Sequence, residues 1–90
     1  MTLLEINTKL NILVDLNVLT SDSDGVYCNN DKADSRVLIT TGSDELLIES
    51  IVLTEYSRLQ VNTLKQTFSV PVEDIISIDY YIRKSVPKEL

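Results

Sequence analysis

The chain has 90 residues, of which 43% are hydrophobic and 24% are charged. That is the length of one domain with ordinary globular composition, so a second core and intrinsic disorder are both excluded. The formal net charge of −6 has the wrong sign for a protein that neutralises phosphates, and we therefore expect no direct binding of nucleic acid.

The sequence contains one cysteine, Cys28, and no histidine. A single cysteine cannot form a disulfide within the chain, which favours a reducing compartment, and we expect a cytoplasmic protein. The longest apolar runs are three residues, so we expect no membrane contact. Nucleophile pairs with histidine and zinc sites are excluded, and two glycines cannot build a phosphate loop. We therefore expect no enzyme, no cofactor and no metal.

Residues 4–18 alternate between apolar and polar side chains, which predicts one long strand or two strands broken near residues 7–9. Leu13 and Leu19 interrupt the polar phase of this pattern. They are either ordinary surface leucines or part of an interface with a second subunit.

Residues 20–35 are dense in Asp, Asn, Ser and Gly, and this composition predicts a long mobile loop with a short strand at 26–28. Asp22, Asp24, Gly25 and Asp31 imitate part of a calcium loop. The first ligand position is a threonine and the last is not a glutamate, so we expect no calcium site there.

Residues 36–41 and 46–54 are predicted strands on either side of a turn at 42–45, although a helix over 44–56 fits the same sequence. Residues 58–63 and 66–70 predict a hairpin. The hairpin is followed by a helical turn near 71–74, started by a proline, and by a last strand over 75–82. In that strand we expect alternate residues from Ile76 onward to point inward, which leaves Ile75 and Tyr81 on the opposite phase.

These elements predict a mainly β domain over residues 1–84 with a short C-terminal tail at 85–90. Five to six strands suggest a small barrel or sandwich, or an α+β fold if residues 44–56 are helical. A hairpin, a proline-started turn and a last strand also occur in this order in SH3-like and Sm-like barrels. That is an analogy of fold and carries no function.

For function, the sequence favours a noncatalytic binding or assembly protein that self-associates. Its external partner is expected to be a basic protein, which it could inhibit by binding. The expected subunit interface comprises Leu13, Leu19, Ile75 and Tyr81. The alternative is a binding protein for a nucleotide or another small anionic ligand, with a pocket between subunits that uses Arg36, Arg58 and Lys65. Two acidic pairs, at 44–45 and 73–74, are expected to diverge into water without acid–base chemistry.

Overall fold

The computed structural model describes residues 1–54 and 57–82. Within them the chain forms one helix, a 3-10 helix at Val72–Asp74 and eight strands. In chain order the long elements are α1 (Leu3–Asp15), β1 (Leu19–Ser21), β2 (Val26–Asn29), β3 (Ser35–Thr41), β4 (Glu45–Leu47), β5 (Ser50–Thr54), β6 (Arg58–Asn62), β7 (Thr67–Pro71) and β8 (Ile75–Ile82).

The strands form two antiparallel sheets, and the predicted mainly β fold is confirmed. Five strands follow the order β1-β2-β5-β6-β7, and three follow the order β4-β3-β8. The sheets do not close into a barrel in the described part of the chain, because β4 ends one sheet and β7 ends the other.

The chain crosses from one sheet to the other at three places, the first of which is the segment 30–34 between β2 and β3. Between β4 and β5, the Ile48 nitrogen still donates to Val37 in the small sheet, whereas the Glu49 nitrogen donates to Asn62 in the large one. The third crossing is the 3-10 helix, which joins β7 to β8. The buried residues of both sheets belong to one shared core.

Helix α1 contributes a full stripe to that core, with Ile6 and Leu10 fully buried and Leu13 nearly so. The rest of the core comes from both sheets and their connections. Its members are Val18, Leu19, Val37, Ile39, Leu46, Ile48, Ile51, Leu59, Val61, Val70, Val72, Ile75 and Ile78.

The expectation of a strand over residues 4–18 is wrong. Thr2 and Glu5 form a capping box that starts the helix, since the hydroxyl of Thr2 accepts from the Glu5 nitrogen and the Glu5 carboxylate accepts from the Thr2 nitrogen. The helix ends in a Schellman motif, with Asn17 at φ 62° and the Val18 nitrogen donating to the Leu13 carbonyl.

The expectation of a long loop over residues 20–35 is also wrong, although its short strand is confirmed. β1 and β2 form a hairpin whose turn is closed by Asp22, because Oδ1 of Asp22 accepts from the nitrogens of Asp24 and Val26. Gly25, at φ +80°, supplies the left-handed residue of this turn. Within this segment residues 22–25, in the turn, and residues 30–34, between β2 and β3, lie outside the strands.

The later elements agree with the sequence pattern except at two points. The strand at 36–41, the hairpin, the 3-10 helix and the last strand are all present. The segment 46–54 is extended and not helical, but the single strand predicted there is divided at residues 48–49 into β4 and β5, which lie in different sheets. A bulge pairs Thr40 with Ser77 but Thr41 with Ile75, which skips Ile76. Ile76 is therefore 64% exposed, and Tyr80, on the same predicted phase, is 43% exposed, both contrary to the prediction. The predicted tail at 85–90 lies outside the described residues.

Candidate functional site: a groove between two sheet edges

The groove that we call the seam groove lies where a barrel would have closed, between the edge strands β4 and β7. Its first part has a volume of about 580 Å³ and lies between the β3–β4 turn and the end of β7 with the 3-10 helix. Its second part, about 450 Å³, lies between β4 and the β6–β7 turn. Leu46 and Phe68 line both parts and form a continuous apolar floor.

The rim of the seam groove is acidic. Asp44, Glu73 and Asp74 line the first part, and Glu45 lines the second part together with one cation, Lys65. Exposed apolar side chains stand beside these charges, with Ile76 at one end and Leu64, which is 83% exposed, at the other. The groove thus joins apolar surface with four carboxylates and one ammonium group.

The edge of β4 presents unpaired main-chain groups. The Thr41 nitrogen donates to Asp44 and the Ile48 nitrogen donates to Val37, which fixes the alternation of the antiparallel ladder. Leu46 therefore bonds β3, while the N–H and C=O groups of Glu45 and Leu47 point away from it. A further strand could pair with these two residues.

The edge of β7 is protected instead. By the same alternation the main chain of Thr67, Ser69 and Pro71 points away from β6. The guanidinium of Arg58 donates to Oγ of Ser69 at 2.9 Å and to its carbonyl oxygen at 3.1 Å. Pro71 has no N–H to offer, so of the two edges that border the groove, β4 is the one open to pairing.

The two acidic pairs are exposed to water, as predicted. The fold also brings them to one groove, the pair at 44–45 from the β3–β4 turn and the pair at 73–74 from the 3-10 helix, which the sequence did not predict. Pro71 and Gly42 mark the turns that hold them, but the sequence carries no information about which two turns meet. Because these two turns lie far apart along the chain, the sequence did not predict that they form one site.

Three of the four residues predicted for the subunit interface are buried within one chain, and the premise that they were surplus to the core is wrong. Leu13, Leu19 and Ile75 are between 1% and 4% exposed, because the helix and the bulge in β8 change their phase. Tyr81 is 47% exposed and stays a predicted interface residue.

The three cations predicted to hold an anionic ligand do not meet in one chain. Arg36 lies in the small sheet and bonds the Ser35 carbonyl, whereas Arg58 is engaged at the β7 edge. Lys65 lies in the β6–β7 turn, at the far end of β6 from Arg58. A pocket built from all three would need side chains from a second subunit.

No cluster of His, Cys, Asp or Glu suited to a metal ion is present among residues 1–54 and 57–82. The calcium-like segment is the β1–β2 hairpin, where Asp22 is engaged in the turn. In the same part of the chain no helix has the length and apolar character needed to cross a bilayer.

Comparison of the chain with protein-family models, with curated proteins and with solved structures gives no match in any of the three. The geometry of the seam groove is therefore the basis for the functional conclusion.

Proposed function

We propose that this protein is a noncatalytic protein-binding module that holds an extended, basic segment of a partner protein in the seam groove. The single observation that carries the proposal is the open edge of β4 above an apolar floor and an acidic rim. A partner segment would add a fourth strand to the small sheet, beside β4.

Strand addition uses the groups that this groove offers. The outward main chain of Glu45 and Leu47 provides N–H donors and C=O acceptors that give affinity without sequence preference. Specificity would come from alternate side chains, with an apolar one resting on Leu46 and Phe68 and its neighbours reaching the rim. The short length of β4 limits the pairing to about two residues, so side chains must supply the rest.

The charge of the rim selects the partner. The acids at 44, 45, 73 and 74 outnumber the cations of the groove among the described residues, which are Lys65 in its lining and Arg58, already bonded to Ser69 at the β7 edge. This excess of acids favours lysine- or arginine-rich segments and accelerates their encounter. Binding would cover a basic surface of the partner protein and so inhibit any activity of the partner that depends on that surface. A cytoplasmic location, suggested by the single Cys28, belongs to the same proposal.

The proposal is tested by fluorescence anisotropy with a labelled eight-residue peptide that alternates lysine and valine. We expect binding that weakens as salt rises, and a loss of about two- to fivefold in affinity for each of Glu73→Gln and Asp74→Asn. Asp31→Asn is the matched control, because Asp31 is an exposed acid in the turn after β2, outside the groove.

A second peptide of the same sequence carries N-methyl groups on alternate main-chain nitrogens, on the edge that would pair. It keeps the charge but cannot donate to β4, so its binding should be lost. Equal binding of both peptides would overturn strand addition, and an equal effect of Asp31→Asn would overturn the groove as the site. The alternative of an anionic small molecule is tested separately by calorimetry with nucleotides.

A further inference from the structure

The C-terminal segment of the chain has the opposite charge to the rim of the seam groove. Residues 83–90, which lie outside the described residues, read Arg-Lys-Ser-Val-Pro-Lys-Glu-Leu. They hold three of the eight lysines and arginines of the chain but only one of its fourteen acids, Glu89. This segment, which we call the basic tail, therefore has the charge that the groove selects.

Pro87 fixes which main-chain groups of the basic tail can pair with a strand. A proline has no N–H, so in a strand beside β4 it would turn its main chain away from that edge. Its neighbours Val86 and Lys88 would then direct their N–H and C=O groups towards β4. These groups match the outward main chain of Glu45 and Leu47.

The side chains of the basic tail select its direction. In an antiparallel arrangement with the proline at the centre, Val86 lies opposite Leu47. Lys88 then lies opposite Glu45. The first pair is apolar and the second has opposite charges, and both kinds of cross-strand pair stabilise a sheet. A parallel arrangement would instead set the lysine against the leucine and the valine against the glutamate.

In the antiparallel arrangement the proline ring lies between these two pairs, on the inner face of the sheet. There it faces Leu46 and rests on the apolar floor that Leu46 forms with Phe68. Glu89 comes opposite Asp44 in the same register, and this pair of like charges lowers the affinity. The contact is therefore favourable at its three central residues and weakened at its end.

The length of the basic tail decides whose groove it can enter. β8 ends with Ile82 paired to Ser35, whereas Leu47 of β4 pairs with Leu38. A strand beside β4 lies three strand spacings, about 14 Å, across the sheet from β8, and Leu38 lies about 10 Å along β3 from Ser35. A partner of Leu47 would therefore be about 17 Å from Ile82 of the same chain, whereas the four residues from Ile82 to Val86 span at most about 14 Å. In this register the tail can pair only with β4 of another copy.

We propose that the basic tail of one copy of this chain pairs with β4 in the seam groove of another copy, antiparallel and with Pro87 opposite Leu46. This inference rests on the proposed function, because it uses the same edge, floor and rim. Two paired residues bury little surface, so we expect a dissociation constant of about 1 mM. The tail is thus a weak occupant that a longer basic segment of a partner protein displaces.

Charge exchange between two variants of the full chain tests the proposal. Glu45→Lys and Lys88→Glu each set like charges opposite one another, so either variant alone should pair about fivefold more weakly than the wild type. A mixture restores opposite charges, because the tail of the Lys88→Glu chain meets the groove of the Glu45→Lys chain. In NMR spectra of isotopically labelled Glu45→Lys chain, the amide signals of residues 45 and 47 should shift as unlabelled Lys88→Glu chain is added.

Lys32→Glu is the matched control for the added chain. Lys32 is an exposed lysine between β2 and β3, and the substitution changes the net charge by the same amount as Lys88→Glu. It leaves the tail unchanged, so it should shift the two signals about fivefold more weakly. An equal effect of Lys32→Glu would mean that net charge alone drives the association, and it would overturn the assignment of the tail.

Two further substitutions in the added chain test the register. Val86→Pro removes an N–H that would bond β4, so the shifts should be lost. Pro87→Ala adds an N–H that points away from β4, so the shifts should be kept. Retained shifts with Val86→Pro would overturn the arrangement around Pro87.

The remaining outcomes separate this inference from the proposed function. If the mixture leaves residues 45 and 47 unchanged while the lysine–valine peptide shifts them in the wild type, the basic tail is not an occupant and the proposed function stands. If neither the mixture nor the peptide shifts them, both are overturned. A difference between wild type and Lys88→Glu in these two signals that persists on dilution would place the tail in the groove of its own chain and overturn pairing between copies.

Discussion

Two serines in the sheets show how the same hydroxyl can favour or oppose folding. Ser35 is 4% exposed, and among the described residues its Oγ has no hydrogen-bond partner. Oγ of Ser50 accepts from the Asn62 side-chain nitrogen at 2.7 Å, in a partly buried position. A buried polar group without a hydrogen-bond partner loses its hydrogen bonds to water on folding and gains none in the protein, so it lowers the free energy of unfolding.

We expect Ser35→Ala to raise the free energy of unfolding by about 1 kcal/mol, and Ser50→Ala to lower it by about the same amount. Urea denaturation of both variants beside the wild type measures the two changes. If Ser35→Ala proved as destabilising as Ser50→Ala, the Ser35 hydroxyl would have to form a hydrogen bond in solution that is absent from the structure described here.

At the scale of elements, β3, β6 and β7 were predictable because each buries one face and therefore alternates. The division of residues 46–54 into β4 and β5 and the phase of β8 depend on how strands pair, so the sequence did not predict them. Helix α1 was not predicted either. Its buried residues have helical spacing. The exposed Leu4 and Ile12, however, also occupy even positions, so the same segment shows the two-residue period of a strand as well as the period of a helix. The capping box at Thr2 and Glu5 was the signal that separates them. The seam groove was beyond prediction, since it depends on which strand edges meet.

The capping box makes the stability of α1 depend on pH. The pKa of the Glu5 carboxyl lies below its ordinary value of 4.5, because the main-chain N–H of Thr2 and then its hydroxyl donate to the carboxylate. A carboxyl with a lowered pKa in the folded state stabilises it fully above the unfolded value, and that contribution is lost as pH falls through the folded value.

We therefore expect wild-type stability to fall more steeply than that of Glu5→Gln between about pH 6 and about pH 3. Thermal melts over this range give the two slopes. Both proteins are compared at the same concentration, so that self-association contributes equally to the two curves. Parallel curves would mean that the bond between Thr2 and Glu5 does not persist in solution.

At the scale of the whole molecule, one small core holds together two sheets that do not close on each other. A domain of 90 residues buries only about 60 to 65% of the surface of its unfolded chain, so its margin of stability is small. The residues that made α1 resemble a strand are surplus to that core. They add stability only where another surface covers them, and the self-association predicted from the sequence would do so.

This reasoning links stability to concentration. A partner that binds the folded chain alone shifts unfolding by mass action, so the wild-type melting temperature should rise as protein concentration increases from about 1 to about 100 micromolar. Ile12→Glu should melt at one temperature throughout the series. Ile76→Glu is the matched control, since Ile76 is similarly exposed but lies in the seam groove, and its melting temperature should still rise. A flat wild-type series would show that the outer face of α1 stays uncovered and that the single core suffices.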